Sequence, residues 1–188
     1  MLSMIIVAST TSCEVSDLAI DSLYDNVFLN GAFIITITPP LELVNLSDTT
    51  KNFIAMTIEV QEGNGSQPST FSEVKFYSST FNDQDQIEAT VDEDGNPLGE
   101  TLLGTVAASE FFPSEANGLP STDVFIPTQT IVDNSPTAVF TVPTFIYVRL
   151  ELIMEDGTIY TDTSVGPTVA TGNYFNAPFF YNIIFLPF

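Results

Sequence analysis

Few side chains in this sequence are equipped for chemistry, and they lie far apart. The single cysteine, Cys13, follows Thr10-Thr11-Ser12 and a short apolar run from Leu2 to Ala8. That run is too short to span a bilayer. It has the length of a signal-peptide hydrophobic region, followed by the small residues that a cleavage site needs. A small residue placed directly before a cysteine is the arrangement of a bacterial lipobox, in which the cysteine is acylated and becomes the mature N-terminus. Cys13 is therefore the candidate lipidation site, and its acyl chains would hold the domain on a membrane. Residues 1–12 are expected to be a signal peptide and residues 13–30 a lipid-anchored tether. The first lysine is Lys51, so the basic start of a signal peptide is missing. The expectation is that the true start lies upstream of Met1, or that the chain is a fragment.

The second group is acidic. Residues 82–100 hold Asp83, Asp85, Glu88, Asp92, Glu93, Asp94 and Glu100 without a cation. Asp92-Glu93-Asp94-Gly95 resembles the middle of an EF-hand loop. Aligned on Gly95, however, Thr90 and Thr101 occupy the first and last ligand positions, where carboxylates are required. A looser calcium site built from Asp83, Asp85, Asp92 and Asp94 stays open. The alternative is a solvated loop that keeps the chain soluble. The third group is aromatic: Tyr147, Tyr160 and Tyr174 are candidates for stacking on sugar rings. Arg149, one of three cations, lies mid-strand among apolar neighbours and is expected to hold a structural ion pair with a nearby carboxylate.

Composition excludes more than it selects. The 188 residues carry 24 acidic and 3 basic side chains, a formal charge of -21, with no histidine and no tryptophan. Without histidine there is no Ser-His-Asp or Cys-His catalysis and no imidazole-ligated zinc. One cysteine forms no internal disulfide or thiolate cage. Three cations cannot neutralise a phosphate backbone, so no nucleic-acid partner is expected. Two carboxylates could serve glycoside hydrolysis, but no motif selects a pair from 24. No catalytic residues, and hence no enzyme, are expected. No cofactor is expected beyond calcium.

Hydrophobic residues make up 44% of the chain, with 16 Phe and 6 Tyr, which sets it apart from disordered acidic sequences. The mixture of Thr, Val, Ile, Phe and Tyr suits pleated sheets. Period-two alternation predicts strands over 33–38, 54–60, 74–76, 102–107, 122–126, 137–142, 146–152 and 159–163, with a final apolar strand over 179–186. Pro39-Pro40 ends the first. Asp156-Gly157 predicts a type I′ hairpin turn. Ala107–Phe112 predicts one helical turn stopped by Pro113. These elements imply one all-β domain over residues 31–188: a single antiparallel β-sandwich, immunoglobulin-like, with short helical turns in its loops.

Several segments in order carry a resemblance: Asn30-Gly31-Ala32; Thr105–Pro113 followed by Gly118-Leu119-Pro120; Val148–Leu152 before Asp156-Gly157; and Gly172–Asn182. Over roughly residues 30–186 the chain resembles uncharacterised lipoproteins of Flavobacteria and other Bacteroidetes. These are commonly encoded beside a TonB-dependent transporter and its SusD-like lipoprotein. Glu14 and Asp17, close after Cys13, resemble the surface-export signal of such lipoproteins. The resemblance implies an outer-membrane, surface-exposed, lipid-anchored accessory or binding subunit of nutrient uptake, with a glycan or peptide ligand. Its motifs concern packing and turns, so no functional residue is carried over. The alternative is a pilin-like or surface-assembly subunit whose apolar run from Pro178 to Phe188 completes a neighbour's sheet by strand addition.

Overall fold

The computed structural model describes residues 31–48, 53–63, 70–83, 91, 94–95, 98–135, 140–164, 177 and 179–187. The proposed signal peptide, Cys13, the tether, Asp85, Asp92 and Tyr174 lie outside them.

Among the described residues, ten strands build two facing sheets: β1 (Ala32–Thr38), β2 (Leu43–Asn45), β3 (Phe53–Glu62), β4 (Phe71–Phe81), β5 (Thr101–Ala107), β6 (Phe112–Pro113), β7 (Pro120–Pro127), β8 (Thr144–Met154), β9 (Ile159–Tyr160) and β10 (Phe180–Leu186). The smaller sheet runs β1-β3-β7-β6; the larger runs β2-β10-β8-β4-β5, with β9 beside the end of β8. In immunoglobulin lettering this is A-B-E-D against A′-G-F-C-C′, so the sandwich is immunoglobulin-like in strand order as well as in class.

Alternation explains the layers. In β8, Ile146, Val148, Leu150 and Leu152 are buried, while Tyr147, Arg149 and Glu151 face outwards. In β3, Ile54, Met56, Ile58 and Val60 meet them from the opposite sheet. β4 adds Phe71, Val74 and Phe76, and β10 adds Ile183 and Phe185. Thr36 of β1 and Tyr181 of β10 join the two sheets through a 2.6 Å hydroxyl contact. Burial raises the Tyr181 phenol above its ordinary value, and the bond to Thr36 opposes that.

Four expectations are corrected. The sandwich is not wholly antiparallel: β2 pairs with β10 in parallel. Pro39-Pro40 supplies no N–H to continue the β1 ladder, so the chain leaves one sheet and resumes as β2 in the other. Residues 140–142 form a short helical turn and bend rather than the end of a strand, which puts the Phe140 ring into the core against Phe185, 6.0 Å between centroids. The return strand expected to reach Thr163 stops at Tyr160, because residues 162–164 turn, with Thr161 and Ser164 bonded to each other. The Asp156-Gly157 turn is present, but only Gly157 has positive φ (+86°). Gly157 N–H donates to the Met154 carbonyl at 3.0 Å, and Met154 N–H to the Thr158 carbonyl at 2.9 Å. This is a three-residue loop with the glycine at its bulge, not a type I′ turn.

The helical turn expected over Ala107–Phe112 is the 3-10 turn Ala108–Glu110, whose Glu110 carboxylate accepts from the Ala107 N–H at 3.0 Å. A short helix, α1 (Thr128–Asp133), closes one end of the sandwich with Ile131 buried. Between β3 and β4, the largely buried Glu62 accepts from Thr70 N–H at 2.6 Å and Thr70 Oγ1 at 2.8 Å, which fixes the ends of that connection.

Candidate functional site

The outer face of the larger sheet gathers the unusual side chains. Register sets them in rows: Tyr77 of β4 lies opposite Arg149 of β8, which lies opposite Phe180 of β10. One step along, Ser79, Tyr147 and Asn182 are aligned, and then Phe81, Phe145 and Ile184. Because one strand face repeats every second residue, these rows form one continuous surface.

Arg149 organises its centre. Its Nε and Nη2 donate to the two carboxylate oxygens of Glu100 at 2.8 and 2.7 Å, and Nη1 donates to Glu151 at 2.8 Å. The guanidinium also lies 4.8 Å from the centroid of the Tyr77 ring. Glu100 immediately precedes β5, so the pair reaches across β4 and ties three strands together. The side chain of Arg149 is 17% exposed. The Glu100 hydrogen bonds, aided by those to Glu151, hold the guanidinium pKa above its ordinary value against the opposing effect of burial. The expected structural ion pair is therefore present, in bidentate form, and it occupies the group that would otherwise be the natural anion receptor. Lys75, opposite Glu151, pairs with Glu73 at 3.1 Å.

Tyr147, a stacking candidate, is on the outward face, but it is half-buried. Its ring packs against Phe180 at 5.2 Å, and its hydroxyl donates to Asp162 at 3.1 Å. Burial first, then the Asp162 charge, raise its phenol well above the ordinary 10.0. Tyr160 lies opposite Leu152, an inward residue, and packs against the core. The two tyrosines therefore share no platform. Asp83 and Asp94 are described, and among the described residues no three metal-ligating side chains cluster.

Beside this cluster runs a groove of about 430 Å³, lined by Pro39, Pro40, Glu42, Phe145, Phe180, Tyr181, Asn182 and Ile184. Its floor comes from the outward apolar residues of β8 and β10, and its wall is the proline crossover between β1 and β2. Ile184 N–H donates to the Glu42 carbonyl at 2.8 Å, which pins the wall to the floor. Sequence reasoning missed this groove because it needs β2 to lie beside β10, a long-range pairing across some 140 residues of chain. The one signal available was the alternation of Phe145, Tyr147 and Arg149, which places aromatic and charged groups on one face.

No family model matches the chain, and no curated protein matches it. Among solved structures it is similar to a bacterial adhesin from Mobiluncus mulieris containing intramolecular disulfide, isopeptide and ester bond cross-links. The likeness recurs in two crystal forms, at 11% and 15% identity with TM-scores of 0.30 and 0.29. It covers 84% of this chain and 56% of the adhesin chain, so this chain spans little more than half of the structure it matches. Among the described residues no helix is long and apolar enough to cross a membrane.

Proposed function

We propose that this chain is a non-catalytic binding module of the cell surface, anchored to the outer membrane through acylated Cys13 and serving as an accessory subunit of glycan or peptide uptake. The observation that carries the binding reading is the groove on the outer face of the larger sheet. A floor of Phe145, Phe180 and Ile184 with Glu42 and Asn182 at its sides combines apolar surface with polar groups that can fix a ligand's orientation, as small-ligand sites do. Its volume of about 430 Å³ lies within the range such sites occupy. The neighbouring ion-pair network supports a rigid, preorganised floor, which lowers the ordering cost of binding.

The lipoprotein reading rests on the position of Cys13. The uptake reading rests on the resemblance to lipoproteins encoded beside TonB-dependent transporters. The assembly alternative draws on β10, yet both edges of β10 are paired within this domain, to β2 and β8. Donation of that strand to a neighbour would require its removal from the core, so the observations favour the module.

The test combines metabolic palmitate labelling with pull-down from native membranes. Acylation lost in Cys13→Ser, with co-purification of a transporter or SusD-like protein, is the expected result. An unacylated chain recovered alone would overturn it. Screening the purified domain against oligosaccharides and peptides, with Phe180→Ala as control, tests the groove separately.

A further inference from the structure

We propose that a second, polar pocket, on the core side of β4, binds a small neutral polyol or one hydroxyl-bearing edge of a sugar ring. The inward row of β4 is Phe71, Val74 and Phe76, then Ser78 and Thr80. Both hydroxyl residues are only 5% exposed. Buried hydroxyls in native proteins are almost always hydrogen-bonded. Thr80 Oγ1 is the exception among the described residues: it is buried and has no partner. Valine has the same shape and would fill this strand position without an unpaired group.

Thr80 lines a pocket of about 140 Å³ together with Ser78, Leu98, Gly99, Glu100, Thr101, Asn134 and Ser135. A cavity of about 150 Å³ accommodates benzene, a ring of six heavy atoms, so this pocket suits a small polyol or one side of a pyranose.

The lining selects the chemistry. Ser78, Thr80, Thr101 and Ser135 offer hydroxyls that both donate and accept. Asn134 donates one amide N–H to the Thr130 carbonyl at 2.7 Å and keeps a second N–H and an acceptor oxygen. An anion would find no cation in this lining and would meet the overall charge of -21. A cation would find one carboxylate in this lining, and both oxygens of that carboxylate are already held by Arg149. Leu98 is the sole apolar side chain, too little for an alkyl or aromatic ligand. A neutral molecule rich in hydroxyls matches this set on both its donor and its acceptor sides. The pocket shares no lining residue with the groove beside β10, so it stands independently of the function proposed above.

The experiment is a ¹H–¹⁵N titration of the full chain with D-xylose to roughly 100 mM, the range in which single-ring ligands of weak affinity are read. Saturable shifts at the amides of Thr80, Gly99, Thr101 and Asn134 are expected. Thr80→Val should weaken them roughly 3–10-fold, the effect of one neutral hydrogen bond, while melting at or above the parent temperature. Phe180→Ala should leave them unchanged. If Thr80→Val does not fold, Ser78→Ala carries the same reading. Shifts that do not saturate, shifts equally strong in the pocket variant, shifts confined to β10, or saturation of these amides by calcium or acetate in place of xylose would each overturn the proposal.

Discussion

The two outer faces of the sandwich are built on opposite plans. The larger sheet carries both cations of the described residues, Lys75 and Arg149, and all three described salt bridges. The smaller sheet exposes Phe53 and Phe125, 5.7 Å apart edge to face, and also Ile37 and Phe112. A cross-strand polar side-chain pair there joins Thr57 to Asp123 at 2.7 Å. In a chain of net charge -21, placing the scarce cations together makes one face a cross-linked plate. The other relies on backbone pairing and on apolar contacts that water can reach. Burial alone does not distinguish the faces; the difference lies in where the few positive charges are spent.

Removing Arg149 should show this most clearly. Arg149→Met leaves Glu100 and Glu151 facing each other without a counter-charge. The expected loss is about 1.5–3 kcal/mol, below the full cost of breaking a buried pair because the side chain is partly solvated. Phe125→Ser, at a residue 63% exposed, should cost no more than about 1 kcal/mol. Urea midpoints measure both, and equal losses would end the distinction. Next, Tyr147→Phe removes the bond to Asp162 and should cost about 0.5–1.5 kcal/mol. The same residue sets an alkaline limit. Its folded pKa is raised, so its contribution is complete below pH 10.0 and is lost as pH climbs through the higher folded value. Denaturation curves at pH 8 and 11 should therefore lie closer together in the phenylalanine variant than in the parent.

Salt acts on the whole molecule. Raising ionic strength from 0.01 to 0.15 M screens repulsion among 24 carboxylates and should lift Tm by about 2–4 °C, equivalent to about 1 kcal/mol. A fall would mean that the Arg149 network outweighs that repulsion. The smallest effect concerns the apolar face. Phe53→Thr with Phe125→Thr should change stability by about 0.5 kcal/mol or less while lowering binding of a hydrophobic dye. Undiminished dye fluorescence would show that the accessible apolar surface lies elsewhere.

Much of the fold was legible because alternation is strong where a strand has one buried face. β8 shows this: the alternation of Ile146, Val148, Leu150 and Leu152 with Tyr147, Arg149 and Glu151 marks the buried face. The misses have physical causes. β2 is three residues long and its partner lies at the far end of the chain, so no local pattern marks it. α1 is six residues with a proline at its cap and too short for a periodic signal. Phe140 is apolar and lies between prolines, which suits a strand as well as a turn. Phe179 adopts φ of +57°, a conformation that a bulky residue rarely takes; packing holds it there, its ring 1% exposed and its carbonyl accepting from Leu150 at 2.8 Å. The site was legible residue by residue but not as an arrangement. Arg149 was recognised as an ion-pair residue, yet Glu100 was one of seven acids in a loop. Tyr147 stood out as a stacking candidate, yet its contact with Phe180 depends on the register of β8 and β10.

The proline crossover also has a mechanical meaning. By carrying the first strand into the larger sheet, it lays β2 parallel to β10, joined at Ile184 to Glu42 and at Leu46 to Leu186. Tension applied to the chain on either side of these strands draws parallel neighbours past one another along their length. The ladder is then loaded in shear, with its hydrogen bonds sharing the force, instead of opening one bond at a time like a zip. For a domain held at one end and pulled at the other, two prolines thus decide how it yields.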